Sequence, residues 1–388
     1  MGVFTHLSDL IDHFNIFFIG LENFPGSCTI RIMWAYLSEK RTRIIGFFAS
    51  YFPSLKQDTG RINQWGRDTL ERLEEYLSRG KMVRGALVSF GHDMYGGAFQ
   101  HQALQAGAAM ELFQSAFLIH DDIMDQDLFR RGKPSIHSQY RDLLKSRFGM
   151  PLDRRMEHLA DSLGICAGDV ALFLAFELLG SLEVPLSILQ SLLKLFTREL
   201  MYVGFAQMED VYYGGGIDSP EEKEILALYR YKTGRYTFSL PLMAGGILAA
   251  VPSSILSTLS RLGEQMGVLF QLKDDELGLF GEAEEVGKPI GSDVVSNKKT
   301  LYRYYLFQAV DGKDRKKLQE LFGAPQIQEE DLVFLRSLLE ETGARGRVDR
   351  LMDQLEEESR RIIQELDVPS EWRDKLFQLV EYNRKRDK

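Results

Sequence analysis

Hydrophobic residues recur at three- and four-residue spacing along almost the whole chain, and no convincing alternating segment interrupts them. That period is helical, so the expected fold is all-α. Two stretches constrain it most. His101 to Asp125 and Ile255 to Asp275 are apolar on almost every side, as helices at the centre of a large bundle are and surface helices are not. Each ends in carboxylates: Asp121-Asp122-Ile123-Met124-Asp125 closes the first and Lys273-Asp274-Asp275-Glu276-Leu277-Gly278 the second. The helix dipole disfavours anions at a C-terminus. Asp121 and Asp125 also share a face, where like charges four apart cost roughly 0.2–0.5 kcal/mol, and Asp122 adds a third charge. A bound cation would resolve both conflicts. Hard carboxylate oxygens without nearby paired His or Cys suit Mg2+, which keeps some waters and takes one or two carboxylates plus substrate phosphate. The competing explanation, a solvated acidic helix end, has to apply twice, each time after a nearly uncharged run.

The net charge of -9 argues against a general nucleic-acid binder, because such binding needs a basic surface. A phosphorylated ligand must therefore be met by local cations. Cys28 and Cys166 are far apart and lack metal-ligand spacing, so neither a disulfide framework nor a zinc site is expected, and a reducing cytoplasm fits best. The apolar stretches break before the ~20 residues of a membrane-spanning helix, so no transmembrane segment is expected. Residues 1–45 are aromatic-rich, with Phe-Pro-Gly at 24–26 and no regular helical pattern. They read as an N-terminal appendage, or as an upstream start with Met33 the next methionine, ahead of a main helical domain at 46–388. Breaks at Arg131–Ser135, Gly149–Asp153, Gly214–Pro220 and Gly281–Gly291 read as loops.

Cationic clusters join the acidic ones. Gly80-Lys81-Met82-Val83-Arg84 sets two cations three residues apart, neighbours on a helix face and suited to a diphosphate. Arg130-Arg131-Gly132 follows the first acidic cluster, Lys232-Thr233-Gly234 offers a cation and a hydroxyl, and Gly287-Lys288 and Lys298-Lys299-Thr300 flank the loop after the second. Each alone is a weak signal, since basic residues are common on solvated surfaces. Their order is the strong one. The succession GKMVR, FQSAFLIHDDIMDQDLFRRG, AGD at 167–169, Gln207–Asp210, YKTG, FQLKDDELGLFG and GKPIGSDVVSNKKT resembles the trans-isoprenyl diphosphate synthases, the family of farnesyl and geranylgeranyl diphosphate synthases. The likeness runs over roughly residues 60 to 388. With no two-residue insertion, the first acidic motif is similar to the archaeal-like and eukaryotic farnesyl branches.

The resemblance implies a type I isoprenoid synthase fold, a single large helical bundle whose central cavity is lined by the two aspartate motifs. It implies a homodimer and three Mg2+ ions per site, held by Asp121, Asp125 and Asp274 with Asp122 and Asp275 in support. Arg130, Lys232 and Lys288 would contact the allylic diphosphate, Lys81, Arg84, Gln114 and Arg131 isopentenyl diphosphate, and Lys298 would be a further diphosphate contact. Thr233 and Gln271 would turn oxygen dipoles toward the developing carbocation. Ala116 and Phe117 stand where farnesyl-producing eukaryotic relatives carry two aromatics, which favours geranylgeranyl diphosphate over farnesyl diphosphate. Phe113 and Met110 would be the next barriers to the growing tail. Two departures keep rivals open. Gly278 stands where the second motif often ends in a third Asp, and Asp274, Asp275, Gly278 and Glu282 have the spacing of a class I terpene cyclase motif. A catalytically silent partner subunit is the other alternative. Outside the motifs, His120 reads as a structural histidine or a partner for a ligand-shell carboxylate. Cys166 reads as a buried small hydrophobe, and Arg384-Lys385-Arg386 as a tail closing over the phosphates or a solvated terminus.

Overall fold

The computed structural model describes residues 30–149, 153–216, 219–281 and 291–386. The chain is helical almost throughout. Helix α1 (Ile30–Thr59) packs across α2 (Gln64–Ser78), α3 (Val83–Asp93) and α4 (Gln100–Met124). The boundary expected at residue 45 falls inside α1, whose Met33, Leu37 and Ile44 are core residues. Residues 1–29 of the expected appendage lie outside the described residues.

Helix α4 is central. Its run from Ala103 to Ala116 is buried on nearly every side, and it packs against α3 and against α6 (Arg154–Gly180). Between α4 and α5 (Ile136–Phe148) a hairpin of β1 (Phe129–Arg130) and β2 (Lys133–Pro134) is the only strand pair among the described residues. Arg131 and Gly132 both have positive φ, 55° and 74°, the geometry of the two-residue turn that matches strand twist. The turn separates the two arginines, which leave it toward different partners.

Helix α7 (Leu186–Gly214) leads through α8 (Glu222–Leu228) into a π-helical segment, Tyr229–Ser239, that continues as α9 (Leu240–Leu248). The second apolar stretch forms α10 (Ser253–Phe280), which packs on the π-helical segment and on α15 (Ala344–Glu365). Contact is backbone to backbone: a Cβ on Gly267 would lie 2.1 Å from Gly234 Cα. Only glycine at 267 lets Lys232 and Thr233 sit this close to α10. Short helices α11 (Ser292–Val295), α12 (Leu301–Ala309), α13 (Gly312–Leu321) and α14 (Glu329–Glu341) close the second half, and α16 (Ser370–Lys385) returns against α1 and α10.

The core falls into two clusters, one around Phe113 and Phe196 and one around Leu269 and Tyr302. Among the described helices, only α6 is long and apolar enough to cross a membrane, by length and composition alone. Its inner face of Ala160, Gly164, Ala167, Ala171 and Ala175 is buried, because small side chains let α6 lie close on α4. Cys166 is exposed rather than buried, since it stands beside Ile165 on the opposite side of this helix.

Candidate active site

The first acidic cluster ends α4. Asp121 Oδ1 accepts a hydrogen bond from Gln207 Nε2 of α7 at 3.0 Å and lies 3.7 Å from Lys232 Nζ. Arg130 Nη2 stands 3.8 Å from its other oxygen. Lys232 also pairs with Asp210 of α7. Burial, then the charge of Asp121, pushes the Asp125 carboxyl upward, opposed by Lys298 and Lys232. Asp122 points elsewhere. It is wholly buried and accepts from Arg130 Nε at 2.6 Å, while burial outweighs that arginine and pushes its carboxyl up to about 6.

The second cluster divides in the same way. Asp274 is half exposed and pairs with Arg386, just beyond α16. Arg386 also donates to the Phe270 carbonyl at 3.0 Å and lies 3.8 Å over the Phe270 ring. Asp275 is buried at the end of a relay. Thr233 Oγ1 donates to Gln271 Oε1 at 2.8 Å, Gln271 Nε2 to Asp275 Oδ1 at 2.9 Å, and the Tyr229 hydroxyl to the other Asp275 oxygen. Tyr229 accepts in turn from the Leu301 amide at 3.2 Å. Burial, then the charge of Asp293, pushes the Asp275 carboxyl well upward against these hydrogen bonds.

Lys298 is acted on by charges of both clusters. It lies 3.3 Å from Asp293, and Asp293 foremost, with Asp210, Asp125 and Asp275, holds its ammonium above the usual range despite desolvation. The position of the absent third Asp is now explicable. A Cβ on Gly278 would stand 3.1 Å from Asp293 Oδ2, so a carboxylate there would press like charges together.

The remaining cations gather near the start of α3. Arg84 Nη2 donates to Thr237 Oγ1 at 2.7 Å, and its guanidinium lies 5.2 Å over Tyr236. Arg131 donates to the Tyr76 carbonyl at 3.4 Å, and its Nη1 is 3.1 Å from a Cβ built on Gly80, next to exposed Lys81. Gln114 is buried on α4. Lys288 and Glu282 lie outside the described residues. Further back on α4, Ala116 is fully buried and the Phe117 ring lies 5.4 Å from Tyr236. Phe113 is flanked by Phe176 at 4.9 Å and Phe196 at 5.6 Å. His120 Nε2 is 3.2 Å from the Ile165 carbonyl and 3.5 Å from Asp169, a tie between α4 and α6. Arg384 pairs with Asp353 at 2.9 Å.

Several of these partners were not singled out from sequence. Tyr229, Tyr236 and Phe196 carry no local signal, and Asp293 stands in the GKPIGSDVVSNKKT motif without a role assigned to it. Gln207 and Asp210 stand in the motif succession quoted from the sequence, where two polar groups three apart close the apolar run of α7.

The donor set fits Mg2+. It consists of carboxylate oxygens, and beneath the larger push of burial the charge of Asp121 also raises the Asp125 carboxyl, which a cation would relieve. Among the described residues no three acidic, His or Cys side chains converge on one point. An ion here would complete its shell with water and phosphate oxygens, as Mg2+ commonly does.

A family model described as polyprenyl synthetase matches residues 67–339. The geranylgeranyl diphosphate synthase of Sulfolobus acidocaldarius is 30% identical over 260 residues, 66% of this chain and 72% of that protein. The (2E,6E)-farnesyl diphosphate synthase of Mycobacterium bovis is 31% identical over 223 residues, 57% of this chain and 55% of the relative. In three dimensions the chain is similar to geranylgeranyl pyrophosphate synthase from Corynebacterium glutamicum, solved with isoprenyl diphosphate and magnesium. That likeness has a TM-score of 0.83 at 25% identity over 90% of this chain and 99% of that one. Since the family match spans both acidic clusters and the cations around them, the chain belongs to the polyprenyl synthetase family.

Proposed function

We propose that this trans-prenyltransferase joins isopentenyl diphosphate head-to-tail to allylic diphosphates, stopping chiefly at geranylgeranyl diphosphate. The observation that carries the reading is two acidic helix ends whose charges both act on Lys298, with a separate set of cations around Arg84 and Arg131. A cyclase has no use for the second set. Mg2+, held by Asp121, Asp125 and Asp274, would neutralise charge on the departing pyrophosphate; we take the count as three ions.

The protein's own groups do the rest. Arg130, fixed by buried Asp122, and Lys232, fixed by Asp210, grip the allylic diphosphate beside Asp121, with Lys298 and Lys288 as further contacts. Lys81, Arg84, Gln114 and Arg131 hold isopentenyl diphosphate. Because the Thr233 hydroxyl donates its hydrogen bond to Gln271, its oxygen lone pairs are left for the cation that forms as the allylic C–O bond breaks. Clamping both diphosphates aligns that carbon with the isopentenyl double bond, and the apolar channel keeps water away. The new C–C bond forms, a proton leaves the adjacent carbon, and the released pyrophosphate can take it. No side-chain nucleophile is needed.

We also propose a homodimer and a cytoplasmic location. Phe173 on α6 and Phe205 and Met208 on α7 are 72%, 60% and 70% exposed, an apolar face suited to a second copy. The deciding experiment supplies labelled isopentenyl diphosphate with dimethylallyl, geranyl or farnesyl diphosphate and Mg2+. Elongated prenyl diphosphates are expected. A cyclic hydrocarbon instead would hand the site to the cyclase reading, and no turnover with any primer to the silent-subunit reading.

A further inference from the structure

Helix α3 begins without a cap of its own. Its N-cap residue, Met82, is left-handed at φ 53° and makes no side-chain capping bond, although the first amides of a helix need acceptors from outside it. The acceptor comes from another helix. Glu111, 4% exposed in the middle of α4, accepts from the Gly85 amide at 2.7 Å. The two helices touch so that it can. A Cβ on Gly107, one turn before Glu111, would lie 2.6 Å from the Gly85 carbonyl, and a Cβ on Gly85 would lie 3.0 Å from Glu111 Cγ.

What this acceptor holds matters. The capped turn is Gly80-Lys81-Met82-Val83-Arg84, and Arg84 leaves it to reach Thr237 and the Tyr236 ring. Arg84 and Arg131 both act on the Glu111 carboxyl, drawing it down against the burial that raises it. Arg131 in turn is lowered by burial and by neighbouring Arg84 and Arg79, with Glu111 opposing. One buried acid thus fixes the backbone of one cation and offsets repulsion between two.

We propose that Glu111 is a positioning residue for the isopentenyl diphosphate site, capping α3 from α4 so that Lys81 and Arg84 are aligned before substrate arrives. This rests on the reading of Lys81, Arg84 and Arg131 as that site. Glu111 touches no reacting atom, so its loss should appear in one substrate and not the other.

The experiment is two-substrate steady-state kinetics on Glu111→Ala and Glu111→Gln, with thermal melts alongside. Glu111→Ala should raise the isopentenyl diphosphate KM about tenfold, as loss of a buried hydrogen bond would, and change the allylic KM by less than about twofold. Glu111→Gln keeps an oxygen on the Gly85 amide and should recover most of the loss. Should the Ala variant not fold, Glu111→Asp, whose carboxylate is one methylene too short to reach, is expected to show the same split. An unchanged isopentenyl KM, equal changes in both KM values, or a Gln variant as impaired as Ala would each overturn the assignment. Absence of product from the wild type would sink the reading of the whole site instead.

Discussion

Replacing Phe117 with Ala should lengthen the product by one isoprene unit. The Phe117 ring lies one turn before Asp121 on α4 and 5.4 Å from Tyr236, across the path a tail would take with its diphosphate at the acidic cluster, as proposed. The next ring on that face is Phe113, four residues back and so ~6 Å along the axis, wedged between Phe176 at 4.9 Å and Phe196 at 5.6 Å. A tail that clears position 117 therefore gains about one helical turn, ~5.4 Å, before meeting that trio. Phe117 is only partly buried, so the truncation should cost less than the ~3–5 kcal/mol of a fully buried ring. The opposite change is Ala116→Phe. Ala116 has no exposed surface, so a ring there must enter the proposed tail path or displace its neighbours at about 1–3 kcal/mol, and the product should shorten. Chromatographic sizing of dephosphorylated products reads both variants against wild type. Unchanged product lengths in two variants that melt cooperatively would refute the idea that this face of α4 sets the floor.

Asp121→Ala and Asp125→Ala should each cut turnover by roughly 10²–10³ while circular dichroism stays unchanged; a variant keeping a tenth of wild-type activity would remove that residue from the metal site. Tyr229→Phe strips a partner from both buried Asp275 and the Leu301 amide. It should cost about 1–3 kcal/mol in urea unfolding and lower kcat through Gln271, and no change in either would break the relay argument. Burial alone would raise Asp93, but hydrogen bonds from His92, Lys40 and Tyr36 hold it down from 3.8 to about 2. It thus supplies about 1 kcal/mol, after discounting for screening, that is present above pH ~4 and lost as pH falls toward ~2. In Asp93→Asn the neutral-pH stability should drop and that acid slope should flatten, and an unaltered slope would count against it. Phe205→Glu should give the 44.4 kDa monomer by light scattering, whereas a wild type already at that mass would end the dimer proposal.

The helical period announced the fold, and the two stretches apolar on every side are the two helices that carry the carboxylates, because only a helix surrounded by others can omit a polar face. Glycine- and proline-bearing breaks near 149, 214 and 281 mark true helix ends. The π-helical segment was invisible, since its wider turn runs only from Tyr229 to Ser239 and creates no period of its own. Glu111 was missed for another reason. An acid inside an apolar run reads as an isolated solvated position, and its partner, the Gly85 amide, has no side chain to pair with it in the sequence. The helical character of residues 30–45 was hidden by Trp34, Tyr36 and neighbouring aromatics that look unlike the rest of the chain yet pack into it.

The doubled aspartates show how far motif reading goes. Successive residues on an α-helix point ~100° apart, so two adjacent carboxylates cannot both face one ion. Asp121 and Asp274 keep 22% and 50% of their side chains exposed. Asp122 and Asp275 turn into the protein, where one clamps Arg130 and the other anchors Gln271 and Tyr229. The cost of burying those charges shows in their raised carboxyls. On the proposed reading the pair is a ligand followed by a brace. The brace aligns a cation in the first cluster and an oxygen dipole in the second, which is why the second aspartate of each pair should resist replacement as firmly as the first, while failing through misplaced Arg130 or Gln271 and not through lost metal.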